Sequence, residues 1–158
     1  MMSAVLLGMR VSFRLKKRTE ILESVEIFIS AVSLEIEFIS LPVFEILRKI
    51  SVFDSCKSLD FISFCLDEME KGEDFRNSWI KGIDQSALPF KREEKEKLKS
   101  LGSLIGTSDT DGQKNILSLY GSYFSTFRNI AQMEYDKYGK TSITLSVVMG
   151  LGIFILMM

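Results

Sequence analysis

The stretch from Thr19 to Ser40 reads TEILESVEIFISAVSLEIEFIS, and its apolar residues recur at alternating intervals of three and four positions. Side chains at these intervals lie on the same side of an α-helix, so the spacing predicts one buried helix face. Glutamate and serine residues keep the same interval on the opposite side. The predicted buried face comprises Leu22, Val25, Ile29, Val32, Ile36 and Ile39.

Glu35 departs from this division into an apolar and a polar face. It lies three residues after Val32 and four before Ile39, which places it at the border of the apolar stripe. A carboxylate there can be buried and hydrogen-bonded, can face a partner, or can be an ordinary boundary residue. The spacing alone leaves these interpretations open.

The helical period continues through the central sequence, and no alternating run typical of a β-strand occurs. Ser40-Leu41-Pro42 predicts the start of a second helix, because Ser can cap a helix and Pro suits its first turn. We expect the inward side of this helix to hold Val43, Ile46, Leu47 and Ile50. The fold class we predict is all-α, an antiparallel bundle of about six helices with a C-terminal transmembrane helix.

Two further helices follow the second one. The third is predicted to start near Ser58 and to end at Lys71-Gly72, where Gly supplies a left-handed cap. Its expected buried residues are Leu59, Ile62, Leu66 and Met69. The fourth is short and contains Trp79, the single tryptophan of the chain. A lone tryptophan at helical spacing is more often a core anchor than a binding residue.

The fifth helix opens at Leu88-Pro89-Phe90, and its KREEKEK run from 91 to 97 reads as a solvated charged face. It leads into LGSLIGTSDTDGQ, residues 101 to 113, where Gly102 and Gly106 allow another backbone to approach closely. Gly106 can end the helix, Ser108 or Asp109 can cap the next one, and Gln113 lies within reach of that cap. The segment lacks the Gly-Lys-Ser/Thr ending of a phosphate-binding loop.

The sixth helix is predicted to bury one apolar stripe and to run toward the C-terminus. The residues of that stripe are Ile116, Leu119, Tyr123, Phe127, Ile130 and, at its end, Met133.

The segment from Thr141 to Met158 reads TSITLSVVMGLGIFILMM and carries no charged side chain. As a helix it reaches about 26 Å, close to the thickness of a thin bilayer, so we expect a transmembrane helix. The alternative is a buried core helix, which Gly150 and Gly152 disfavour in water. Met1 to Phe13 is apolar but interrupted by Arg10, and it is too short to span a bilayer unaided.

Basic residues follow the first apolar segment and precede the last one, which by the positive-inside rule places the middle of the chain in the cytoplasm. We therefore expect a partial membrane segment with a basic flank over 1–17, a cytoplasmic helical domain over 18–140 and a transmembrane helix over 141–158.

Composition narrows the possible functions. The chain has 158 residues, a net charge of −1, two cysteines and no histidine. The near-zero net charge provides no overall electrostatic attraction to nucleic acid. The spacing of Cys56 and Cys65 is not one found between metal ligands. No nucleophile with a base, metal cluster or phosphate loop appears, so we expect no enzyme and no cofactor.

Several of these motifs together resemble the stage III sporulation protein AB family of endospore-forming bacteria. The matching positions are Glu35-Ile36 with Pro42-Val43, Lys71-Gly72 with Ser78-Trp79, and the signature Leu101-Gly102, Ile105-Gly106, Ser108-Asp109 and Gln113, followed by the C-terminal hydrophobic helix. The family normally begins with a full membrane helix, whereas this sequence starts partway into one. The residue two before Glu35 is often acidic in the family and is Ser33 here.

The resemblance implies a mother-cell membrane protein of the channel apparatus between mother cell and forespore. Its helical domain is expected to be similar to that of type II secretion inner-membrane platform proteins, which dock a secretion-type ATPase. The implied partners are the membrane, that ATPase, other channel subunits and copies of the chain itself. From its residues the alternative is a generic tail-anchored helical scaffold that binds another cytoplasmic partner. The site residues we expect to serve partner binding or structure are Glu35, Pro42, Trp79, Gly102, Gly106, Asp109 and Gln113.

Overall fold

A computed structural model describes residues 2–39, 42–105 and 110–139, and all regular secondary structure in this part of the chain is helical, with no strand. The all-α prediction is therefore confirmed. The helices are α1 (Met2–Ile39), α2 (Val43–Ser51), α3 (Asp60–Glu70), α4 (Phe75–Gln85), α5 (Arg92–Leu104) and α6 (Thr110–Glu134), and a π-helical turn (Tyr135–Gly139) continues α6.

The longest helix pair, α1 and α6, is antiparallel. Arg18 near the middle of α1 meets Glu134 at the end of α6, whereas Glu26 meets Arg128 and Ile29 lies against Gly121. Residue numbers thus rise along one helix as they fall along the other. The π-helical turn also packs on α1. The π-helical turn therefore lies beside the half of α1 that precedes Arg18.

The second layer is the α3–α4 hairpin, whose aromatic side chains pack against Phe28 on the apolar face of α1. At its centre the ring of Trp79 stacks on Phe28 at a centroid distance of 5.8 Å and meets Phe61 edge-on at 5.4 Å. Gly82 allows the two helices of the hairpin to touch, because an added Cβ would lie 2.6 Å from the carbonyl oxygen of Phe61. Sequence reasoning missed this glycine, although its lack of a side chain is what brings α3 and α4 together.

The apolar stripe predicted for α1 is buried at Leu22, Val25, Ile29, Val32 and Ile36, while the side chain of Ile39 lies outside the described residues. Phe28 and Ile21 join them in the core. Helix α1 is much longer than the predicted stretch, because it begins at Met2.

The stripe predicted for α6 was wrong by about one residue at most positions. The structure buries Leu117, Tyr120, Phe124 and Ala131 and leaves Leu119, Tyr123, Ile130 and Met133 exposed, while Ile116 and Phe127 are half-buried. Both stripes have helical spacing, so periodicity alone could not choose between them. The antiparallel contact with α1 makes the choice.

The helix ends agree with the sequence in one place and differ in another. Gly72 takes φ +94°, and its N–H donates to the carbonyl oxygen of Met69 at 3.0 Å, as the predicted left-handed cap requires. Pro42, by contrast, is not in the first turn of α2. It is the N-cap, with φ −54° and ψ 144°, and its carbonyl accepts from the N–H of Glu45 at 2.9 Å. The φ angle fixed by the proline ring suits this extended cap conformation. Proline has no backbone N–H, but the cap uses only its carbonyl oxygen.

None of the helices that the structure describes combines the length and the apolar character needed to cross a bilayer. The predicted C-terminal transmembrane helix, 141–158, lies outside the described residues.

Candidate functional site

The candidate partner-binding residue Glu35 forms an ion pair with Lys49. Its carboxylate lies 2.7 Å from Lys49 Nζ, so it joins the end of α1 to α2. The side chain of Glu35 is 13% exposed and that of Lys49 is 45% exposed. Glu35 is thus half-buried and paired, with its partner reaching into solvent. This arrangement combines two of the interpretations that the spacing left open, a hydrogen-bonded carboxylate and a residue at the boundary of the apolar stripe.

Trp79 and Gly102, which the sequence singled out separately, form one contact. The indole of Trp79 is fully buried and lies directly over Gly102 of α5, so a Cβ added there would overlap the ring. Trp79 Nε1–H donates to the carbonyl oxygen of Leu98 at 2.7 Å, one turn before that glycine. The close approach predicted for Gly102 is therefore that of a side chain, and it joins α4 to the last turn of α5.

The remaining signature residues are not brought to one place by the described structure. Gly106 and Asp109 lie outside the described residues, so their predicted cap cannot be compared with it. Gln113 lies in the first turn of α6, and Pro42 lies at the start of α2. Among the described residues, the candidates therefore lie at separate places in the bundle.

Sequence reasoning missed a buried ionic cluster, defined here as Arg18, Lys91, Glu94 and Glu134, in which Arg18 and Glu94 are buried and Lys91 reaches solvent. Arg18 Nη2 pairs with Glu94 Oε1, and Arg18 Nη1 lies 2.6 Å from Glu134 Oε2. Lys91 Nζ lies 2.6 Å from the other oxygen of Glu134. Arg18 is 6% exposed and Glu94 is 1% exposed. Three helix segments, from α1, α5 and α6, therefore meet at one arginine.

The prediction that KREEKEK is a solvated face was wrong at Glu94. The carboxylate of Glu94 accepts from the N–H of Lys91 at 2.7 Å, as the third helical residue of a capping box does. That bond turns the side chain back over the helix start, where Arg18 covers it. A Glu three residues after the helix boundary was the available signal, but the sequence does not reveal which cation covers it.

Charge within the cluster is mutually stabilised. Burial of Arg18 opposes its charged form, but the hydrogen bonds and negative charges of Glu94 and Glu134 outweigh burial and raise its pKa. The hydrogen bond from Lys91, together with the charge of Arg18, lowers the pKa of Glu134 despite partial burial. The charged forms of Arg18 and Glu134 are therefore each stabilised by their partners.

Reactive groups are few in this part of the molecule. Within 2–39, 42–105 and 110–139, no three His, Cys, Asp or Glu residues lie together in a way that could hold a metal ion. Cys56 and Cys65 are free and buried. Burial raises the pKa of Cys65 to about 12, so its thiol stays protonated at neutral pH.

The described chain is thus an all-helical bundle whose candidate sites are joints between helices. The family model described as stage III sporulation protein AB matches residues 1–158, and the chain belongs to that family. This membership places its role in sporulation. No curated protein and no solved structure matches the chain.

Proposed function

We propose that this protein is a non-enzymatic membrane component of the sporulation channel or secretion apparatus between mother cell and forespore. It sits in the mother-cell membrane with its helical domain in the cytoplasm. There it docks a secretion-type ATPase and couples that ATPase to other channel subunits. Family membership supports the sporulation role, and the arrangement of α1 and α6 supports the membrane role.

The antiparallel packing of α1 and α6 is the observation that carries the membrane part of the proposal. It brings the half of α1 that precedes Arg18 and the π-helical turn toward the same end of the bundle. The apolar segment 1–13 leads into this end, and the apolar segment 141–158 follows from it. Exposed apolar side chains also cluster there, namely Val11, Phe13, Met133 and Tyr138. The basic residues Arg10, Arg14, Lys16 and Lys17 accompany them, as suits a cytoplasmic membrane interface.

The opposite end of the bundle is the part that a soluble partner can reach. Glu35 lies 17 residues after Arg18 on the same helix, which is about 25 Å along its axis. Its ion pair with Lys49 leaves the ammonium group half-exposed. We infer that this pair belongs to the docking surface for the ATPase, because it is a polar contact far from the membrane-facing end.

Affinity purification after cross-linking in sporulating cells tests the proposal, with the full chain and two variants. We expect a secretion-type ATPase to be recovered with the wild-type chain. Glu35→Ala should reduce that recovery roughly tenfold, the effect of losing one good interface contact. The matched control is Asp54→Ala, which removes an exposed carboxylate paired with Lys57. It should leave recovery unchanged.

The outcomes separate the proposed functions. Wild-type chain that recovers no ATPase contradicts the coupling role and favours the generic scaffold. Equal recovery with Glu35→Ala and Asp54→Ala keeps the coupling role but removes Glu35 from the docking surface. A full chain that alkaline carbonate extracts from the membrane fraction contradicts the transmembrane assignment.

A further inference from the structure

The buried ionic cluster lies where the start of α5 faces the segments that lead toward the two apolar ends of the chain. Glu134 is the last residue of α6 before the π-helical turn, and Arg18 follows the basic flank of α1. Glu94 belongs to the first turn of α5. Arg18 of α1 therefore bonds both to Glu94 at the start of α5 and to Glu134 at the end of α6.

Apart from this cluster, few close backbone contacts join α1 to α5 among the described residues. The close backbone contacts of α5 are with α4 and α6, whereas those of α1 are with α6, α2 and the π-helical turn. A cavity of about 390 Å³ adjoins the cluster between α5 and α6, with Arg18, Glu94, Tyr123 and Phe127 in its wall. Apolar packing is thus incomplete beside the start of α5. The guanidinium of Arg18 bridges this region.

We propose that Arg18 is a positioning residue that holds the start of α5 at a fixed distance from α1. Its two bonds to Glu94 set the position of α5, and its bond to Glu134 ties the same point to the end of α6. The far end of α5 carries Gly102 under Trp79, so one rigid helix connects this point to the α4 joint. Any part that this positioning of α5 plays in coupling the ATPase to the channel rests on the proposed function, whereas the positioning itself does not.

The chemistry of arginine suits such a role. Its planar group presents donors in fixed directions, whereas lysine offers a single charged point on a flexible stem. Arg18 uses Nε, Nη1 and Nη2 together, and the oxygens of both carboxylates receive donors from Arg18 or Lys91. Apolar side chains of similar size can replace a buried ion pair without loss of stability, but they have no such directional bonds. Position and stability can therefore be measured separately.

Distance measurements between spin labels on the full chain in detergent test the proposal. One label pair, Phe13→Cys with Glu96→Cys, reports α1 against α5, and a second pair, Phe13→Cys with Met133→Cys, reports α1 against α6. All three positions are exposed, and the buried native thiols are shielded from the label. Each pair is measured in the wild-type background and with Arg18→Met/Glu94→Gln, where Gln keeps an acceptor for the N–H of Lys91.

We expect the variant to broaden the α1–α5 distance distribution roughly twofold, because the fixed bonds are gone. The α1–α6 distribution should keep its width, because those helices pack along their length. The control Lys81→Met/Glu73→Gln likewise replaces a cation by Met and a carboxylate by an amide, at an exposed ion pair with a distance of 2.7 Å. It should change neither distribution.

An unchanged α1–α5 width in the folded variant overturns the proposal, as does equal broadening of both distributions. If Arg18→Met/Glu94→Gln does not fold by circular dichroism, Arg18→Lys takes its place. It keeps the charge but lacks the fork, so it should still broaden the α1–α5 distribution, and an unchanged width overturns the proposal. No ATPase or membrane is present in this measurement, so its result is independent of the proposed function.

Discussion

Helix α5 is held at its two ends by opposite chemistry. Its first turn is fixed by the carboxylate of Glu94 under Arg18, and its last turn is fixed by Gly102 under the ring of Trp79. Both contacts are almost completely buried. The first depends on charge and on the direction of hydrogen bonds, whereas the second depends on shape. The comparison predicts that substitutions at the two ends will fail for different reasons.

The largest effect should come from Arg18→Met alone. This change leaves Glu94 buried with its main cation removed, and an uncompensated buried charge typically costs about 3–5 kcal/mol. We expect urea denaturation of the full chain in detergent to show that loss. Arg18→Met/Glu94→Gln should recover most of it, because no unpaired charge remains. A double variant as unstable as the single one would show that the cluster acts through packing rather than charge.

At the other end of α5, Gly102→Ala should cost about 2–3 kcal/mol, because its methyl group would overlap the indole of Trp79. The ring cannot turn away without losing its hydrogen bond to Leu98. Thermal melts should show the loss, and Trp79→Phe combined with Gly102→Ala should cost less than the sum of the two single changes. Additive losses would contradict a direct contact.

Acid should weaken the charged end first. The pKa of Glu134 is lowered in the folded state by its hydrogen bond from Lys91 and by Arg18, so folding gains stability above the unfolded pKa. That gain disappears as pH falls through the lowered folded pKa, below the ordinary value near 4.5. We expect the melting temperature of the wild type to fall more steeply below this pH than that of Glu134→Gln. Parallel curves would contradict the prediction.

Ser78 offers a smaller change beside the apolar end. Its hydroxyl is buried next to Trp79 in sequence and has no hydrogen-bond partner among the residues that the structure describes. An unpaired buried hydroxyl is unfavourable, so Ser78→Ala should raise the free energy of unfolding by about 1 kcal/mol. A loss of stability measured by urea denaturation would indicate a partner for this hydroxyl.

The smallest effect on stability should come from Glu35→Ala. Its ion pair with Lys49 is partly open to solvent, and such pairs typically contribute less than about 1 kcal/mol. We expect the melting temperature to change little while assembly with the ATPase weakens. A loss as large as that of Arg18→Met, with assembly intact in the folded fraction, would identify Glu35 as a structural acid.

The two stripes of α6 show how far sequence reasoning could go. Leu119, Tyr123 and Ile130 repeat at helical spacing as well as Leu117, Tyr120 and Phe124 do. Periodicity predicted the helix but left its rotation about its own axis undetermined. A helix with apolar residues on two sides can place either side against the core. The neighbouring α1 decides which side is buried.

Burial of charge was harder to predict than burial of apolar side chains. The run KREEKEK has the composition of a solvated face, and Lys91, Arg92, Glu93 and Glu96 are exposed. Glu94 differs because Arg18, 76 residues away in sequence, covers it. A charged residue can be buried when packing brings an oppositely charged residue against it. Which residue that is depends on how helices distant in sequence pack together.

By itself the sequence determined the helical class, the apolar face of α1, the left-handed cap at Gly72 and membership of the family, since these depend on local spacing, backbone freedom and motif. The tertiary structure alone decided that Trp79 covers Gly102, that Gly82 joins α3 to α4, and that Arg18 meets Glu94 and Glu134. The physical reason is range. Helical period and caps are set by residues within a few positions, whereas each of these contacts joins different helices and exists once those helices have packed.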